Sequence, residues 1–526
     1  LSPAAAESPA AGRAPADSTT GRRLTLLALG ALLLFAATLW LDTRQNGFPF
    51  FYHPDEPDKV DQLITGKWNF HHPLLMLGTA EAAKKALGLP DREQTLVVLG
   101  RWCSALFAAG GVLGFALLAW RVRGWGGFWI VGLLLLTQHQ VFELAHYFKE
   151  DTALFFAVAL AFLALHVQHR RPGWSAALFA GAACGLCLCA KYLGAVMLIP
   201  AVVVMGAAQR GKRAAGIQWV WFAAGFIAVA AAVNFPVFTH LDVFTHSFGR
   251  ETTLVAQGGR GYTGGGQVAI FEYLHILAVD TTPVIWVLVI AELLFLRKRR
   301  EVFDWTMAIF PFAFMLLLAC STKTNDRYFL PATAGFHYLA GLGAVDLSSL
   351  LPARWAALLK PWRVTVLALL VNLFYYPAYP VGLVFYMIAF AHDDRSEMLA
   401  WIRANVPPAA VIAGENRADL PVPRRVERLA VQPLLPQRVL EAKYMADLGP
   451  APSALAALGI GYIVISESDY GIFFRKAATG HLTPAMQKKR EFYETLFHDF
   501  QPVWERPRGA AIYLHPGLKV YRLTAG

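Results

Sequence analysis

Leu24-Thr-Leu-Leu-Ala-Leu-Gly-Ala-Leu-Leu-Leu-Phe-Ala-Ala-Thr-Leu-Trp-Leu41 contains no charged residue, and it decides which solvent this chain folds in. As a helix, a run of this length crosses the hydrocarbon core of a bilayer. Arg22 and Arg23 precede it, and no small-residue cleavage site stands before Asp42. The run is therefore expected to be a first transmembrane helix that directs insertion, not a removed signal peptide. Residues 1–20 are rich in Ala, Pro, Ser and Thr, and residues 1–23 are expected to form a disordered cytoplasmic tail.

Further runs of spanning length lie at about 95–120, 125–142, 152–168, 174–190, 193–209, 216–235, 276–296, 304–320, 328–347 and 364–391, about eleven with the first. With the N-terminus in the cytoplasm, the loops on that side hold Arg22 and Arg23, Arg121 and Arg123, Arg170 and Arg171, Arg210 with Lys212 and Arg213, Arg297 through Arg300, and Arg354 with Lys360 and Arg363. Every inner loop is basic, as the positive-inside rule requires, and a missed helix would break the alternation. Composition agrees, with 56% of the 526 residues hydrophobic and 16% charged. A soluble domain has too little interior to hide that share. The formal charge of +11 is explained by these loops and gives no argument for nucleic acid. Cys103, Cys184, Cys187, Cys189 and Cys320 all lie in apolar runs, so no disulfide framework is expected.

The opposite side receives different material. Residues 42–94 form a long first loop and residues 143–151 a short second one. The glycine-rich stretch at 258–266 lacks the Gly-Lys-Ser/Thr ending of a phosphate loop and reads as a mobile lid or a plain linker. Residues 392–526 carry amphipathic stretches, such as Arg395 to Asn405, and short β-rich runs, such as Ala410–Ala413 and Tyr462–Ile465. The expected fold is thus an α-helical polytopic membrane protein, with its membrane part at 24–391 and a small extracytoplasmic α/β domain at 392–526.

Four motifs on the outer side carry ionisable groups. Tyr52-His53-Pro54-Asp55-Glu56-Pro57 sets two adjacent carboxylates in a proline-stiffened frame, with solvated loop charge as the plain alternative. His146-Tyr-Phe-Lys149-Glu150-Asp151 leads straight into an apolar helix, where Asp151 could simply be an N-cap. Lys323-Thr-Asn-Asp-Arg327-Tyr328 puts cations on the side the orientation bias disfavours, and Arg and Lys suit phosphate. Asn69-Phe-His71-His72-Pro73 offers a histidine pair for substrate, structure or a metal. Arg101 lies inside the second span, where an ionised group is functional, paired or snorkelling. Lys191 is expected at the interface.

Through these motifs the chain resembles the GT-C superfamily of membrane glycosyltransferases, in particular the branch of protein O-mannosyltransferases and lipid A aminoarabinose transferases. The resemblance is carried by Asp55-Glu56 after the first helix, His72-Pro73 in the same loop, Glu150-Asp151 after the third helix, and Arg327-Tyr328-x-x-Pro331 opening a later one. It spans roughly residues 24–391. It implies a polyprenyl-phosphate donor and one-step inverting transfer of a hexosyl or pentosyl group to a hydroxyl or amino acceptor on a protein, lipid or cell-surface glycan. The membrane implied is a plasma membrane such as the bacterial inner membrane. The resemblance also implies Asp55 as the base within a catalytic set of Asp55, Glu56 and Asp151. Glu150, His53, His72 and Tyr328 would contact substrate, and Arg327, Lys323 and Lys149 the leaving phosphate. Some members of the superfamily use a divalent cation and others do not, and the sequence requires none. Pro57 stands where many relatives have an aromatic or small residue, and no counterpart of the peptide-binding module of the protein mannosyltransferases is found. The rival reading is a transporter or flippase, which would place ionisable groups near the bilayer midplane on broken, repeated helices.

Overall fold

The computed structural model describes residues 18–47, 51–209, 215–257, 267–299, 301–321, 325–350, 352, 359–375, 382–422, 433–478, 482–509, 511 and 513–523. The apolar runs fold as helices, since a chain in hydrocarbon must satisfy its own backbone groups. In order these are α1 (Ser18–Asp42), α2 (Glu56–Thr65), α3 (Leu75–Leu87), α4 (Glu93–Leu136), α5 (His139–Ala145), α6 (Asp151–Arg170), α7 (Trp174–Ala190), α8 (Leu198–Gln209) and α9 (Ala215–Val233). There follow α10 (Phe235–Thr239), α11 (Leu241–Gln257), α12 (Gln267–Asp280), α13 (Pro283–Arg299), α14 (Val302–Ala319), α15 (Leu330–Leu350), α16 (Pro361–Phe374) and α17 (Leu383–Ala389). Among the described residues, five helices are long and apolar enough to cross a bilayer, and α12 with α13 makes a further pair bent by 102°. Shorter apolar helices cover residues 174–190, 192–208 and 361–374. The chain is an integral membrane protein.

Three boundaries differ from expectation. α1 begins at Ser18, inside the stretch read as a disordered tail. The span expected at 125–142 stops at Leu136, and the Gln138 side chain caps a separate short helix, α5. The run expected at 364–391 ends its first helix at Phe374, and Pro377 and Pro380 stand beyond it, where a helix does not continue. The glycine-rich stretch at 258–266 lies outside the described residues. The long α4 is two helices joined at Gly124, whose φ of 65° favours glycine. Arg123 beside that break reaches Glu292 of α13 at 3.0 Å and Asp346 of α15 at 2.5 Å, which fixes the turn.

Beyond residue 392 the chain forms α18 (Asp394–Asn405), β1 (Val411–Glu415), β2 (Arg438–Ala442), α19 (Pro452–Ala457), β3 (Tyr462–Ser466), α20 (Glu467–Ala478), α21 (Pro484–Asp499), β4 (Pro502–Arg508) and β5 (Pro516–Arg522). The strands make one mixed sheet in the order β2-β1-β3-β5-β4. β1 is parallel to β2 and β3, and β5 antiparallel to β3 and β4. Alternation along the strands sorts the side chains into two layers. Ile412 and Val464 pack with Met398, Leu399 and Ile402 of α18. Ala413, Ile463 and Ile465 pack with Phe473 of α20 and Phe492 of α21. The loop joining β4 to β5 leaves this domain, since Ala511 and Leu514 belong to the core of the membrane helices.

α7 and α9 cross backbone to backbone. A Cβ added at Gly181 would lie 1.9 Å from the Phe222 carbonyl oxygen, and one at Gly225 2.1 Å from that of Leu178. Lipid gives no hydrophobic drive between helices, so this close approach supplies dispersion instead. Gly181→Val is expected to force the pair apart at a cost of about 1–3 kcal/mol, seen as a lower thermal midpoint in detergent. Gly216→Ala, where an added Cβ meets nothing within 4 Å, is expected to leave that midpoint unchanged.

Candidate active site

The site begins with one buried carboxylate. Glu56 opens α2, and Pro57 sits in that first turn, where its missing N–H is not needed. The Glu56 side chain is fully buried. It accepts from Arg101 Nε at 3.0 Å and Nη2 at 2.9 Å. It also accepts the backbone N–H groups of Tyr52 at 2.6 Å, His53 at 3.2 Å and Phe148 at 2.9 Å. The Tyr52 ring covers the guanidinium at 3.4 Å. One carboxylate thus ties the first loop, α4 and the second loop together. Phe148 comes this close because residue 100 is glycine: a Cβ there would sit 2.1 Å from its ring. The oxygens of Glu56, expected in the catalytic set, are thus filled from inside the protein. Arg101 is explained by the same pair.

Asp55, one residue earlier, is half-exposed and differently placed. Its Oδ2 accepts from the buried Lys149 ammonium. It lies 3.9 Å from Arg327 Nη1 and 3.9 Å from His53 Nδ1. Lys149 also stands 3.6 Å from Glu150. Glu150 pairs with Lys59 and lies 3.8 Å from His72 Nε2. Asp151 pairs with Lys191 at 2.5 Å, and that ammonium lies 4.1 Å over the Tyr328 ring. Asp55, Glu150 and Asp151 therefore meet Lys59, Lys149, Lys191 and Arg327, and Glu143 and Asp326 stand with Arg327 in the lining of one cavity. Burial, reinforced by Lys149, holds His53 and His72 well below the usual histidine range, so both are neutral.

The electrostatics are asymmetric. Burial pushes the Asp55 carboxyl up, but the Lys149 ammonium and the Arg327 guanidinium outweigh it and hold it well below the usual range. Burial and then Arg327 push Lys149 down to about 8, against the pull of Asp55 and Asp151. Arg327 points one nitrogen at His53 Nε2, which must accept there because a guanidinium only donates. Its Nε is buried without a hydrogen-bond partner among the described residues. A guanidinium with an unfilled buried donor suits an anion. Beside it opens a small cavity of about 70 Å³, lined by His53, Gln140, Glu143, Tyr147, Asp326, Arg327 and Tyr513 among others. Asp55 stands behind that lining, 3.9 Å from each of His53 and Arg327. Among the described residues no three His, Cys, Asp or Glu side chains gather as metal ligands.

No established family pattern matches the sequence, and no curated protein matches it. Solved structures do. ArnT from Cupriavidus metallidurans, bound to undecaprenyl phosphate, corresponds over 96% of this chain and 99% of its own, with a TM-score of 0.50 at 15% identity. The chain shares the fold of that protein. An oligosaccharyltransferase from Archaeoglobus fulgidus corresponds over 89% of this chain and 72% of its own, at 12% identity and a TM-score of 0.47.

Within this fold, Asp55, Lys149, Glu150, Asp151, Arg327, His53, His72 and Tyr328 come together, while Lys323 lies outside the described residues. Sequence reading missed Lys59, Lys191 and Tyr513. Lys59 had a signal, because it stands one helical turn after Asp55. Lys191 ends α7 after an apolar run, which disguised it as an interfacial residue. Tyr513 had none. Glu56→Ala is expected to leave Arg101 buried without a counter-charge and to destabilise the protein by about 3–5 kcal/mol, measured by thermal unfolding in detergent. Asp55→Asn, which takes the charge from the buried Lys149 but leaves it Glu150 at 3.6 Å, is expected to lower the midpoint by less than Glu56→Ala does.

Proposed function

We propose that this chain is a membrane glycosyltransferase that takes a sugar from a polyprenyl-phosphate donor and passes it, with inversion, to a hydroxyl or amino acceptor. The observation that carries this reading is the half-exposed Asp55 held between Lys149 and Arg327, the latter lining a small cavity. A base and a phosphate seat stand side by side there. Support comes from the fold shared with ArnT, whose structure holds undecaprenyl phosphate. A transporter is disfavoured because these groups gather in loops and at helix starts. The proposal includes about eleven crossings, a cytoplasmic N-terminus, a boundary near residue 392 with the following domain outside the cell, and a bacterial inner membrane.

In the proposed step the acceptor hydroxyl gives its proton to Asp55 while its oxygen bonds to the anomeric carbon. The bond from that carbon to the phosphate oxygen breaks on the opposite face, and its electron pair leaves with the phosphate. Arg327 and Lys149 stabilise the growing charge. The same two cations keep Asp55 too acidic to be a good base in the empty site. A donor phosphate competes for them, so the carboxylate gains basicity when the donor is bound. Glu150 and Asp151, each paired with a lysine, hold Lys149 in place and border the sugar. Glu56 acts through position alone.

Asp55→Asn is expected to lower transfer from labelled polyprenyl-phosphate sugars by about 10²–10⁴-fold while undecaprenyl phosphate still binds at least as well. Equal activity in the variant would remove Asp55 from the mechanism. Lys149 is charged below pH of about 8 and loses its proton as pH rises through that value. Undecaprenyl phosphate affinity is therefore expected to fall about tenfold between pH 7 and 9, and Lys149→Arg to flatten that fall. A binding titration at several pH values checks both.

A further inference from the structure

The C-terminal domain reaches the cavity through a single loop. Between Arg508 of β4 and Pro516 of β5 the chain turns away from the sheet and buries Ala511 and Leu514 among the membrane helices. Tyr513 stands on this turn. Its ring meets the His53 ring edge-on at 4.7 Å between centroids and the Tyr147 ring at 5.6 Å. It lines the cavity with Arg327, Glu143 and Gln140. His53 in turn touches Asp55 and Arg327. Tyr513 is thus one side chain away from both the base and the phosphate seat. Among the described lining residues it is the one that comes from beyond residue 392.

The loop is clamped, which makes the placement of Tyr513 definite. The N–H groups of Leu514 and His515 both bond the Ala511 carbonyl at 2.9 Å, and Gly509 N–H bonds the His515 carbonyl at 3.1 Å. The His515 ring reaches Asp394 at 2.9 Å through Nδ1 and the Ala389 carbonyl at 2.8 Å through Nε2. Both partners are acceptors, so a protonated ring satisfies both. The Tyr513 hydroxyl, by contrast, has no hydrogen-bond partner among the described residues. A ring with an apolar face and an uncommitted hydroxyl, opposite a carboxylate and an amide, matches a sugar. It does not match a phosphate, which needs cations, or a lipid chain, which needs an apolar groove.

We propose that Tyr513 contacts the glycosyl group of the donor, so that the C-terminal domain supplies one wall of the sugar pocket while the donor phosphate sits at Arg327. This rests on the transferase reading above. The test uses the purified full-length chain in detergent and measures binding of undecaprenyl phosphate, bare or carrying each of a panel of hexoses and pentoses. Wild type is expected to bind one glycosylated lipid more tightly than the bare one. Tyr513→Ala is expected to weaken that glycosylated lipid about tenfold while the bare lipid changes by less than about twofold. Tyr513→Phe, which keeps the packing and removes the hydroxyl, is expected to fall between, and it serves if the alanine variant does not fold. Arg327→Ala is expected to weaken both lipids. Equal losses for bare and glycosylated lipid in the Tyr513 variants, or no loss, would overturn the proposal. Failure of wild type to bind any undecaprenyl lipid would overturn the transferase reading, and this proposal with it.

Discussion

The buried pair between Glu56 and Arg101 fixes the rest of the site. A charge inside a membrane protein persists only when its partners are close and its remaining hydrogen bonds are filled. Here the guanidinium takes two bonds, and three backbone N–H groups from two loops take the others. Those loops carry Asp55 on one side and Lys149, Glu150 and Asp151 on the other. Their meeting follows from the pair, helped by the missing side chain at Gly100.

Above that anchor, charge is distributed with a purpose that pairwise salt bridges do not capture. Asp55, Glu150 and Asp151 each have a lysine, and Arg327 keeps one buried N–H unfilled. In the proposed reaction that guanidinium takes the donor phosphate, and the phosphate raises the basicity of Asp55. Binding and activation are then one event. The C-terminal sheet takes part because its β4–β5 loop ends among the membrane helices.

Much of this was legible in the sequence for a simple reason. Uninterrupted apolar runs read as helices in lipid whatever their neighbours do, and the outer-side motifs stood out against them. Asp55, Glu150 and Arg327 therefore stood out as motifs, and the roles expected of them came from the family resemblance. What pairs with what was not legible. Lys59 and Glu150 are far apart in sequence, and nothing local links Lys191 to Asp151. Glu56 looked like a twin of Asp55, yet one residue of rotation at the start of α2 buries it. The split near Phe374 was signalled by Pro377 and Pro380, but the hydropathy of the flanking runs concealed it. Tyr513 lies in an ordinary-looking stretch whose role depends on where the sheet domain docks.

The central claim is that Lys149 and Arg327 restrain Asp55 until a phosphate takes them. Isotope-edited infrared titration of the Asp55 carboxyl, assigned by its disappearance in Asp55→Asn, measures this directly. The account predicts a carboxylate that resists protonation in the empty protein and protonates at clearly higher pH once undecaprenyl phosphate is bound. A titration that does not move on binding would contradict it.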